Sequence, residues 1–84
     1  MHDLHVADQI FRLVLAEAEK NRLKKVAQIN IELGLIEEHG ANVEPENLKF
    51  NIVMLSRGTI AEAADVVVNS VAGNAWKLVS ISGE

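Results

Sequence analysis

Eighty-four residues, 49% of them hydrophobic, suit one small domain over 1–84, near the lower limit at which packing alone can hold a fold. The chain has no cysteine, which excludes disulfides, thiolate zinc sites, iron–sulfur clusters and cysteine nucleophiles. A net charge of −4 with both signs interspersed argues against a nucleic acid partner, and neither a leader pattern nor an apolar run near the roughly 20 residues of a membrane span is found, so the expected location is cytoplasmic.

Leu4, Ala7, Ile10, Phe11, Val14, Leu15 and Ala18 recur at spacings of three and four, which predicts a first helix with Asp3 as its N-cap and Asn21 as a left-handed stop. From Val26 to Leu33 the period changes to two. Ala27, Ile29, Ile31 and Leu33 fall on one face of a strand, and Gln28, Asn30 and Glu32 on the other. The polar, glycine-punctuated stretch over 34–43, which carries His39, reads as a loop.

Pro45 fits the first position of a second helix, in which Leu48, Ile52 and Leu55, flanked by Phe50, Val53 and Met54, form a wide apolar face ending at Gly58. Two strand-forming stretches follow, "DVVVNSV" and "WKLVSIS", and the Gly73-Asn74 pair between them predicts an antiparallel hairpin. The expected fold is an α/β two-layer sandwich of order α-β-α-β-β, a three-stranded sheet with both helices on one face.

Motifs for catalysis are scarce. No Gly-x-Ser-x-Gly elbow is present, Ser56, Ser70, Ser80 and Ser82 have no evident base, and "HGAN" is too short for a phosphate loop. The opening "MHDLHVAD" is the exception. A free terminal amine, the next backbone amide and the His2 imidazole can close adjoining chelate rings around one ion. Such in-plane nitrogen ligation suits Ni(II) or Cu(II) rather than tetrahedral zinc. The partial positive charge of a helix N-terminus would favour the ionised amide. Asp3 fits an ordinary N-cap and can also add a carboxylate or a second backbone amide to the ion, two roles that are compatible. His5 reads as a partly exposed helix residue and His39 as a loop residue.

Four segments, "MHDLHVADQIFRLVLAEAEK", "INIELG", "VEPENLKF" and "RGTIAEAA", resemble the HypA/HybF nickel chaperones of hydrogenase maturation over nearly the whole chain. The resemblance implies a Ni(II) site at Met1, His2 and Asp3, where the family usually has glutamate third. It also implies a HypB-type maturation GTPase and a nickel enzyme precursor as partners. That family carries a zinc module with two Cys-x-x-Cys pairs between its last two strands. Here "VAGNAW" occupies the point, so a tight turn near 72–75 stands in its place and no zinc is expected. The 34–43 loop is longer than the family's link by about four residues, a difference loops tolerate. Ala63 replaces a usual glycine.

The resemblance therefore implies a non-enzymatic metallochaperone that holds Ni(II) at its N-terminus. The alternative is a zinc-less paralogue, or a trimmed form of a longer chaperone, acting as a protein interaction module without nickel delivery. A small enzyme ranks behind both, since it needs a pocket of convergent polar groups that the sequence does not display. A free sheet edge would let the chain pair with a second copy.

Overall fold

The computed structural model describes residues 3–38 and 41–84, the side chains of 3–5, 37–38 and 41–42 excepted. Its elements are α1 (Asp3–Lys20), β1 (Val26–Leu33), β2 (Glu37–Glu38), β3 (Ala41–Asn42), α2 (Pro45–Ser56), β4 (Asp65–Ser70) and β5 (Trp76–Gly83). The expected α/β order and the three-stranded sheet are present. In addition, the 34–43 segment folds a minimal antiparallel ladder of its own, Glu37 against Asn42 and Glu38 against Ala41.

The predicted hairpin is not formed. The sheet order is β4-β1-β5, with β1 parallel to β4 and antiparallel to β5, so the last two strands flank β1 instead of pairing. The physical reason lies in β1, whose Val26, Ile29, Ile31 and Leu33 are all buried and which gains most from neighbours on both sides. The helix between β1 and β4 also suits a parallel crossover. Residues 71–75 thus carry the chain across the end of β1. They are bonded to it there, Val71 N–H to the Leu33 carbonyl at 3.0 Å, Gly34 N–H to that of Ala75 at 2.9 Å, and Leu35 N–H to that of Gly73 at 2.8 Å.

The two helices pack on each other, α2 over β4 and α1 over β5. Ile10, Val14 and Ala18 of α1 meet Ile29 and Ile31 of β1 and Leu48 and Ile52 of α2 in one core. The opposite sheet face is polar. In register, Asn30 faces Ser80 and Glu32 faces Lys77, and the Asn30 side-chain amide donates to Ser80 Oγ at 3.1 Å.

Three local expectations are corrected. Ala27 is exposed, because a bulge between Val26 and Gln28 shifts the alternation and sends Val26 to the core in its place. Phe50 and Met54 are exposed, since the buried row Leu48, Ile52, Ser56 turns them away from the sheet. The left-handed stop of α1 is Arg22 (φ 57°), not Asn21. Arg22 N–H bonds to the Glu19 carbonyl and Leu23 N–H to that of Ala18, a Schellman closure, while the Asn21 side chain donates to the Glu17 carbonyl at 2.8 Å.

Gly34 is required by the crossing. A Cβ there would lie 2.7 Å from the Gly73 carbonyl oxygen and 2.8 Å from that of Ala75, both backbone atoms. Gly34→Ala is expected to lower stability by about 2–3 kcal/mol, read as a reduced urea midpoint.

Candidate metal centre

Chain direction sorts the connections into two ends. α1 returns to β1 through the short link 21–25, so the start of α1 lies at the end where β1 exits. The same end holds the β2-β3 ladder, the start of α2 and the 71–75 link. The opposite end holds 21–25, the segment after α2 and the C-terminus, joined by hydrogen bonds from Val26 N–H to the Ile60 carbonyl at 2.9 Å and from Glu84 N–H to that of Lys25 at 2.9 Å.

Of the residues predicted to hold metal, Met1 and His2 lie outside the described residues, as does His39. Asp3 is described in its backbone only, as the first residue of α1, so its expected N-cap role is not among the described features; His5 likewise has only its helical backbone described. Among the described residues, no three His, Asp or Glu side chains gather closely enough to hold a metal ion. The nearest ion pair on α1, Asp8 with Arg12 at 3.0 Å, joins exposed side chains one turn apart and contributes little.

The "RGTIAEAA" block has a structural explanation at the opposite end. Gly58 takes φ 78° just after α2, a conformation that favours glycine. The Thr59 hydroxyl donates to the Ser56 carbonyl at 2.6 Å and accepts from Ala61 N–H at 3.1 Å, and Gly58 N–H donates to a Glu62 carboxylate oxygen at 3.3 Å. Thr59 and Glu62 thus satisfy backbone groups freed by the end of α2 and start the tight turns that lead into β4. Among the described non-glycine residues only Arg22 has a positive φ, so Ala63 occupies ordinary backbone and needs no glycine.

Sequence reading missed the outward stripe of α2. Val53 packs partly against the core, but Glu46 and Phe50, four residues apart with Lys49 beside them, are exposed. This stripe lies on a different side of the helix from Leu48 and Ile52, a separation visible in the spacing once the buried row is taken as the reference.

The family described as "Hydrogenase/urease nickel incorporation, metallochaperone, hypA" matches residues 1–77. The chain belongs to this HypA family, one of metallochaperones rather than enzymes. Among its relatives, a hydrogenase maturation factor HypA of Methanothermobacter thermautotrophicus is 39% identical over 64 residues, 76% of this chain and 49% of the relative. The HypA of Methylocella silvestris is 33% identical, covering 90% of this chain and 64% of its own. That of Pyrococcus furiosus is 32% identical, covering 96% and 61%. The chain therefore spans about half to two thirds of the length of the curated relatives it matches.

If the Thr59 hydroxyl is architectural, Thr59→Val should cost about 1–2 kcal/mol of stability, measured by chemical unfolding. It should leave metal affinity unchanged, because Thr59 sits at the end away from the start of α1.

Proposed function

We propose that this chain accepts Ni(II) as cargo at Met1, His2 and Asp3 and passes it on during maturation of a [NiFe] hydrogenase or a related nickel enzyme. The observation that carries the reading is the family match beginning at residue 1, on a Met-His opening whose amine, amide and imidazole form a chelate by their own chemistry. A HypB-type GTPase and the enzyme precursor are its partners in this reading, the cytoplasm its place of action. The link 71–75 replaces the family's zinc module, so zinc is not required.

The chemistry follows from the donors. Amine and imidazole bind as neutral nitrogens and the amide gives up its proton, so each binding event releases protons. An unperturbed terminal amine titrates at about 7.7–8.0. Affinity therefore rises with pH through that range and falls below it, as protons reoccupy the donors. Ligation at a chain end also eases release, since donors can be exchanged one at a time without opening the core.

The test is a Ni(II) titration of untagged protein at neutral to mildly alkaline pH, followed by visible absorption. A saturable band of planar nitrogen-ligated nickel is expected. It should vanish in His2→Ala and in a chain extended by a single residue before Met1, where the amine becomes an amide. His39→Ala should bind as the parent does. Absence of the band with Met1 intact would shift the assignment to an interaction module without delivery, while a large loss in His39→Ala would relocate the site.

A further inference from the structure

Charge is unevenly placed along the chain. Residues 32–46, which run through the end where β1 exits, hold five glutamates and no Lys or Arg, whereas residues 20–25, at the opposite end, hold Lys20, Arg22, Lys24 and Lys25 and no acid. All four of these basic residues are exposed. Among the described residues none of their side chains is in an ion pair or hydrogen bond, and Glu19 and Glu84, which adjoin the bend, pair with none of them.

The backbone of the bend is fastened on both sides. Lys24 and Lys25 N–H both donate to the Glu84 carbonyl, Glu84 N–H donates back to that of Lys25, and Val26 N–H donates to that of Ile60. Its centre carries an outlier. Arg22 takes φ 57°, a left-handed conformation that crowds any residue with a Cβ and that glycine adopts freely. The guanidinium is not needed to close α1. The Glu17 carbonyl is met by the Asn21 N–H and side chain, that of Ala18 by Leu23 N–H and that of Glu19 by Arg22 N–H. Nor is it needed for the helix dipole, since Lys20 already puts a cation in the last turn. An arginine thus stands where glycine would be less strained, and backbone strain of this kind gathers at functional positions.

We propose that the bend over 20–25 is a docking surface for a short acidic segment of a partner protein, the Arg22 guanidinium taking one carboxylate through two parallel hydrogen bonds while Lys20, Lys24 and Lys25 attract its neighbours. The occupant follows from the charge layout. Six residues span at most about 20 Å, room for a few carboxylates. A nucleic acid or an anionic membrane presents negative charge over a wider area and meets the repulsion of a chain of net charge −4. The same layout orients the encounter. An acidic partner is drawn to the bend and repelled by 32–46, so it docks with the start of α1 left free. This surface does not depend on the nickel reading.

The experiment is a titration of a dye-labelled oligoglutamate peptide with the 84-residue chain, followed by fluorescence anisotropy at a series of salt concentrations, with chelator present so that the outcome does not depend on nickel binding. Saturable binding that weakens as salt rises is expected. Arg22→Gly should weaken it about tenfold and at the same time raise the urea midpoint of unfolding, a combination that a merely structural arginine would not give. Lys49→Gln, which removes the same charge from α2, should bind as the parent does. Failure of the peptide to bind at low salt overturns the proposal, as does an Arg22→Gly chain that binds like the parent or loses stability together with binding, or an equal loss in Lys49→Gln. Binding of phosphatidylserine vesicles without binding of the peptide overturns it in favour of a membrane surface.

Discussion

The structure depends on the double-sided pairing of β1. Four of its eight residues are buried apolar side chains, and a strand so loaded on one face reaches full value only when both edges are also bonded. Placing β1 in the centre forces β4 and β5 to opposite sides and forces their connection to cross the end of β1. It also fixes where the helices go, since each then covers one flank of the same strand. The Asn30–Ser80 contact and the polar Gln28 and Glu32 on the far side complete the division into a dry face and a wet one.

Much of this was legible in the residues. The α1 stripe from Ala7 to Ala18, the alternation from Ile29 to Leu33 and Pro45 at the head of α2 each report a local constraint that tertiary structure had no reason to override. What was misread required knowledge of neighbours. Gly73-Asn74 has the chemistry of a hairpin turn, but adjacency in sequence does not exclude a third strand between, and only the burial of β1 decides that. Phe50 and Met54 looked like core because apolarity does not carry direction. Ala27 was misplaced by a bulge, which leaves no mark on hydropathy.

The candidate metal site was legible in another way. The chelate proposed at Met1 and His2 would rest on their own amine, amide and imidazole, without help from the fold, so it is read from the residues alone. The remaining resemblance was mixed in meaning. "RGTIAEAA" lies within the matched residues 1–77, yet Gly58, Thr59 and Glu62 terminate a helix at the far end of the molecule. A block can mark a family because it makes the scaffold rather than because it performs the chemistry.

The link over 71–75 has a consequence for how such a scaffold changes over time. Its two stems are fastened to β1 independently, Val71 to Leu33 and Ala75 to Gly34, before the chain enters or leaves the sheet. Between these clasps the Gly73 carbonyl also accepts from Leu35 N–H, while Ala72, Gly73 and Asn74 are exposed, outside the core. Lengthening this stretch changes closure entropy only slowly, by about 0.6 kcal/mol for each doubling. The crossing is thus a socket. A folded appendage can be plugged in or removed there with the strands left in register, and anything plugged in emerges at the end of the molecule where α1 begins.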